Sequence, residues 1–327
     1  MAQYASTTIN SATPAVDLMS WLGTQLTDNG WEFVETWTSG TKVANVYKSS
    51  SVSNSVSSDF YVATYRAATD STSVIVLLFE DWDAVNKKAK KYAPVSGAGI
   101  TVDVADNTVT DAVGVLLDSA TLQRQVSIPV RVSISTTYVS DITINRIIVA
   151  PTNYLPNAVS VVVYAGVFNS VLQTSADPVP LVLLNFRGHS STYQSQNYGS
   201  STREPGAPMT ATYNFNVQQF HLSTTSYRHY ANGPSTYTTT NAAAVLTTGG
   251  DLYRGYTAAP ITFVSSRVTP DTVTSAIRGE LQGVVTSMRG GAQGDTLSVT
   301  MNDASVRSYV LVQVATSSTC HVFVRTA

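Results

Sequence analysis

Charge is what this chain has least of. Asp, Glu, Lys and Arg together make up 12% of its 327 residues, about half the ~25% usual in soluble domains. The net charge is −2 at pH 7, so the chain lacks the basic face that general nucleic-acid binding needs to neutralise phosphates. Cysteine is nearly absent: Cys320 stands alone, which excludes an internal disulfide framework. The four histidines, His189, His221, His229 and His321, are scattered and offer no ligand spacing with a cysteine, so no metal or cofactor is expected. No apolar run approaches the ~18 residues of a membrane helix. The opening "MAQYASTTINSATPA" has neither the basic start nor the apolar stretch of a secretory signal, and the expectation is assembly in a reducing cytoplasm. Lysine is scarce as well, with six in all, four of them crowded at Lys87, Lys88, Lys90 and Lys91.

Hydroxyls fill the gap. Ser and Thr make up about a quarter of the chain, and hydrophobic residues 43%. Enough apolar surface is present to build a core. Thr, Val and Tyr favour strands, while Ser supplies neutral loops. One helix is predicted in "TPAVDLMSWLGTQLTDNGW": Thr13 caps it, Pro14 suits its first position, and Asn29-Gly30 closes it. Ala15, Leu18, Met19, Leu22 and Leu26 fall at helical spacing on one face. Four strands follow, "WEFVETW", "VANVYKS", "DFYVATYR" and "SVIVLLF", separated by turn-like segments, and read as a meander. All four tryptophans lie in this part.

Beyond Pro94 the pattern is β throughout. "GITVDVADNTVTD" alternates, and "VSIPVRVSIS" places Ile128, Val130, Val132 and Ile134 on one side. The C-terminal "RSYVLVQVA" and "CHVFVRT" read as a hairpin joined through "TSST". Residues 189–250 are dominated by Ser, Thr, Tyr, Asn and Gly. Long polar connections of this kind are functional arms or disordered pieces, and the interleaved Tyr193, Tyr198, Tyr213, Tyr227, Tyr230 and Tyr237 favour an arm that orders on a partner. The expected fold is mainly β with a short N-terminal helix: an α+β module over 1–95, then a β-rich domain of sandwich-like sheets over 96–327 carrying the arm around 189–250.

No catalytic constellation emerges. Glu80, Asp81 and Asp83 surround Trp82, but neighbouring residues on a strand end point different ways, and no His or Cys lies near to complete a ligand set. The simpler expectation is a strand end followed by a short helix "AVNKKAKKY", capped by Asp83, with its lysines toward the negative C-terminal end. The glycine-rich "MRGGAQGDT" lacks the Lys and the following helix of a phosphate loop and reads as a hairpin turn. "GHSS" lacks the second glycine of a nucleophile elbow. Two features point to contacts. Lys87, Lys88, Lys90 and Lys91 are either a solvated face or a docking patch for an acidic neighbour. The tyrosines, Tyr193, Tyr198, Tyr227, Tyr230 and Tyr237 among them, suit protein contact, or stacking on sugar rings in the alternative reading of a receptor- or glycan-binding module.

The pieces "LMSWLGTQLTDNGWEF", "ANVYKSSS", "DFYVATYRA" and "VIVLLFEDWD", with "AAPITFVSS", "IRGELQGVVTS" and "GDTLSVTMNDASVRSYVLVQVA", resemble structural proteins of tailed-bacteriophage particles. The resemblance covers residues 14–95 and 251–327; the four-lysine run departs from it. It implies that the two ends fold together as one unit. It also implies a non-enzymatic virion protein of the neck, tail or baseplate, assembled in the host cytoplasm. Such a protein forms or decorates a ring with copies of itself and other virion proteins; from the charge balance and the lack of a long apolar run, neither nucleic acid nor membrane is expected as a partner.

Overall fold

The computed structural model describes residues 3–53, 56–85, 87–92, 126–153, 160–170, 181–187, 200–203, 209–212, 228–232, 258–269, 272–287, 292–300, 304–313 and 321–327. Among these residues the protein is mainly β, with one helix and three antiparallel sheets. Strand β1 (Tyr4–Ile9) leads into helix α1 (Pro14–Asp28). The helix buries Ala15, Leu18, Met19, Leu22 and Leu26, the face its spacing predicts. Thr13 sits at the N-cap without a side-chain capping bond; its carbonyl instead accepts from the Val16 and Asp17 N–H groups, at 3.0 and 3.2 Å. The Asn29 amide donates to the Gln25 carbonyl at 2.9 Å, and Gly30, at φ +91°, turns the chain out of the helix.

The meander follows as expected: β2 (Glu32–Ser39), β3 (Lys42–Ser53), β4 (Val56–Arg66) and β5 (Ser73–Asp83), paired in that order. The far edge of β5 carries two strands in tandem. β6 (Lys88–Tyr92) pairs with its C-terminal half and β7 (Val126–Pro129) with its N-terminal half. The helix predicted over the lysines is therefore a strand. The alternation in "VSIPVRVSIS" also breaks early: Ile128 and Val130 are buried, but Val132 and Ile134 stand 43% and 49% exposed beyond the end of β7.

The central sheet runs β1, β8 (Thr136–Thr143), β9 (Arg146–Pro151), β10 (Ser160–Val167), then, beyond the two-residue β11 (Asn169–Ser170), β12 (Leu181–Arg187), β13 (Ser200–Arg203) and β14 (Met209–Thr212). The C-terminal sheet runs β15 (Arg228–Asn232), β16 (Ala258–Thr269), β17 (Thr272–Ser287), β20 (His321–Arg325), β19 (Val306–Gln313) and β18 (Thr296–Thr300), with β11 paired to β17. β19 and β20 form the expected hairpin. The glycine-rich segment ends in a turn in which Asp295 accepts the Ala292 N–H at 2.8 Å. That turn links β17 to β18, which pair with β20 and β19 and not with each other, so it is a crossing and not a hairpin.

The three sheets stack with the central one in the middle. One core holds α1, Phe60, Val62 and Leu78 of the N-terminal sheet, and Ile147, Val149 and Val163 of the central sheet. A second core holds Ile148, Ala150 and Val162 of the central sheet against Leu281, Val284, Val310 and Val324 of the C-terminal sheet. β9 is consequently buried at all six positions, as a strand covered on both faces must be. Strand pairing crosses residue 95 in both directions, since β1 joins the central sheet and β7 the N-terminal one. The two regions that carry the phage resemblance do not share a sheet. The central sheet lies between them, and the C-terminal region reaches its first strand, where the Arg325 guanidinium lies 5.1 Å from the centre of the Tyr4 ring of β1. The stretch "GITVDVADNTVTD" lies outside the described residues.

Candidate functional site

The lysine-rich segment is a hairpin projecting from the edge of the N-terminal sheet. The antiparallel register sets Asp83 opposite Lys88 and Asp81 opposite Lys90, with Trp82 opposite Ala89 and Phe79 opposite Tyr92. Directly opposed residues share a face, and opposite charges there stabilise the pairing. The acid run and the lysine run are thus two halves of one ladder. Ala and Lys favour a helix locally, but the backbone of this segment pairs with β5 instead. Asp83 does form a cap, but of a turn: its Oδ1 accepts the Val85 N–H at 3.0 Å, the local geometry Asp favours. Val85 stands 88% exposed at the tip, and Lys87 takes a positive φ of 55°.

Glu35 of β2 anchors this hairpin across two intervening strands. A β-bulge lies between Phe33 and Glu35, so that Glu35 opposes Val46. Bulges re-aim side chains in this way. One carboxylate oxygen accepts the Trp82 indole N–H at 2.6 Å, and the other takes the Lys87 ammonium. Burial pushes the Glu35 carboxyl up, but the hydrogen bonds from Lys87 and Trp82 outweigh it and hold the group below the usual carboxylate range. Around them Phe79 stacks on Tyr61 with ring centres 5.7 Å apart and planes 1° from parallel, and Trp82 leans on Phe79 at 5.8 Å. On the neighbouring strands Lys48 and Asp59 pair at 2.7 Å, and Ser50 also donates to Asp59 at 2.9 Å. The arrangement fixes charge in place. Its carboxylates are already engaged, which suits a rigid contact surface better than proton transfer.

Lys87, Lys88, Lys90 and Lys91 are therefore brought together on one hairpin. Tyr193, Tyr198, Tyr213, Tyr227 and Tyr237 lie outside the described residues. Tyr230 lies on β15 with its backbone opposite Val264. Glu35 stands in the alternating "WEFVETW", where nothing local marks it as an anchor.

A buried polar centre lies between the central and C-terminal sheets. Asp141 of β8 and Arg146 of β9 form an ion pair at 2.8 Å, their side chains 0% and 6% exposed. Gln3 donates to Asp141 at 2.6 Å, and Arg146 donates to Gln282 of β17 at 3.1 Å. Gly283, at φ +82°, closes over the pair; a Cβ there would overlap the Asp141 carboxylate and the Ile148 side chain. β17 reaches this point through an irregularity in its pairing with β16. Burial raises the Tyr164 phenol well above its ordinary value, with Asp141 adding to the effect, and Tyr164 donates to the Val167 carbonyl at 2.8 Å. Burial alone would lower Arg146, but Tyr164 and Asp141 nearby raise it, so it stays charged. The available sequence signal was the placing of Asp141 and Arg146, of opposite charge, either side of a turn. Among the described residues no group of three His, Cys, Asp or Glu is placed to hold a metal ion. No protein-family model matches the chain, and no curated protein matches it.

Proposed function

We propose that this chain is a non-enzymatic structural subunit of a tailed-bacteriophage particle. In this reading it forms or decorates an oligomeric ring in the neck, tail or baseplate region, in contact with copies of itself and with other virion proteins. The observation that supports it best is how the few charges are used. Lys48–Asp59, Lys87–Glu35 and Arg146–Asp141 each tie one part of the fold to another, and the register of β5 and β6 sets two further lysines against acids. Charged residues make up only 12% of the chain, against about a quarter for Ser and Thr. Copies of such a subunit repel one another little when brought to high local concentration. The particle setting rests on the motif pattern, whose two regions form α1 with β2–β6 and β16–β20. A ring requires that one patch of each copy meet a different patch of the next.

Light scattering and negative-stain microscopy of the purified chain, alone and mixed with particles lacking it, test the reading. Closed rings, or incorporation into the particle, are the expected result. A chain that stays monomeric at all concentrations and does not enter particles overturns it. A glycan array run in parallel identifies the alternative, since sugar binding by such a monomer is the behaviour of a receptor-binding module.

A further inference from the structure

The central sheet ends at β1, and among the described residues no strand pairs with the outer edge of β1. The hydrogen-bond pattern shows which groups that edge presents. Ile142 donates to the Gln3 carbonyl at 3.0 Å, and the Thr137 carbonyl turns away from β1 to accept from Thr152 at 2.8 Å. In an antiparallel ladder residues alternate between bonding the partner strand and facing away. With Tyr4 opposite Asp141, Ser6 opposite Val139 and Thr8 opposite Thr137, the N–H and C=O groups of Tyr4, Ser6 and Thr8 point outward.

Unpaired edges invite another strand, and proteins usually blunt them with charge, proline or a bulge. Other edges here follow that rule. β2 carries Glu32 and Glu35 and a bulge, β6 carries Lys88, Lys90 and Lys91, and β15 carries Arg228. β1, "YASTTI", is six residues long with no charge, no proline and an unbroken register. The uncharged edges β18 and β14 are shorter, at five and four residues, and β14 lies beside β6.

We infer that the outer edge of β1 is a strand-addition seam for a second copy of this chain, which pairs its own β1 antiparallel about a two-fold axis and joins the two central sheets into one. Charge and register together select this occupant. A two-fold contact sets residues against their own kind, so a charged edge would repel itself, whereas β1 sets Ser6 against Ser6 and Tyr4 against Thr8. That register lets each outward-facing residue exchange both its backbone bonds, about six across the seam. The inference rests on the reading of the chain as a self-assembling subunit; the seam joins pairs and leaves ring closure to a different patch.

The test is Ser6→Pro in the full chain. The Ser6 N–H faces outward, so proline there leaves the β1–β8 ladder whole and removes a donor from the seam. Sedimentation equilibrium is expected to show wild type reaching even-numbered assemblies, and Ser6→Pro associating at least ten-fold more weakly with an unchanged circular dichroism spectrum. Hydrogen exchange of the wild type gives a second readout that needs no variant. The amides of Tyr4, Ser6 and Thr8 are expected to be protected at high concentration and to lose protection on dilution. Assembly of Ser6→Pro equal to wild type, or fast exchange of those three amides inside wild-type assemblies, overturns the seam and leaves the subunit reading standing. A wild-type chain that is monomeric at every concentration and does not enter particles overturns both.

Discussion

At Glu35 two influences oppose each other, and the hydrogen bonds from Lys87 and Trp82 win over burial. A carboxyl whose folded value is depressed adds stability above its unfolded value, near pH 4.3, and loses that contribution as pH falls through the folded value. The indole N–H resonance of Trp82 is therefore expected to hold steady from neutral pH down to the ordinary glutamate range and to move below it. Glu35→Gln keeps an acceptor for the indole but discharges the partner of Lys87, and should abolish the acid step; a step that survives in this variant belongs to another carboxylate. Asp141 is the harsher case because its pair is dry. Asp141→Asn leaves the Arg146 charge buried without its counter-ion, a loss of about 3–5 kcal/mol, read as a lower midpoint in urea denaturation. Neither residue announced its role in the sequence. Charged residues on a strand usually face water, and only the second layer, with Gln282 and Gly283 on β17, makes Asp141 and Arg146 interior.

Among the elements, α1 and the β2–β5 meander were legible because each carries its signal locally, the helix in its 3.6-residue spacing and the strands in alternation and turns. β1 was missed because "YASTTI" shows no apolar alternation; it is a strand because β8 supplies a ladder for it. β6 was misread for the complementary reason. Local propensity pointed to a helix, while the acids that favour a strand sit across the turn on β5. Replacing Lys88 and Lys90 together by Ser should lower hairpin stability by about 0.2–1 kcal/mol for each lost pair, with a larger melting-temperature shift at low than at high salt. An equal shift at both would mean that packing, and not charge, holds β6 on its neighbour. The early end of β7 has a similar lesson: the alternation runs on through Val132 and Ile134, but among the described residues no strand pairs with them.

For the molecule as a whole, composition sufficed to predict a mainly β protein. The order of the layers was not legible, because stacking three sheets depends on pairings between residues far apart in sequence. Their arrangement has a measurable result. The strands of the middle layer, β8 to β10, are covered on both sides, and exchange is slowest where opening requires the most buried contact to be lost. Amides of Ile147 to Ala150 are expected to be the last to exchange, and to do so only with global unfolding. Exchange there faster than in α1 would mean that the layers separate before they unfold.

The pairing of β1 with β8 also sets a timetable. Gln3 and Asp141, which it brings into contact, are 138 residues apart in the chain. At about 5–20 residues per second, a ribosome needs on the order of ten seconds to make that length. For that interval the first strand has emerged and its ladder partner does not yet exist. During synthesis β1 has both edges open and must wait, while α1 and the meander, which need only local partners, are free to form first. A nascent chain stalled before residue 136 would hold the folded N-terminal sheet with β1 unclaimed.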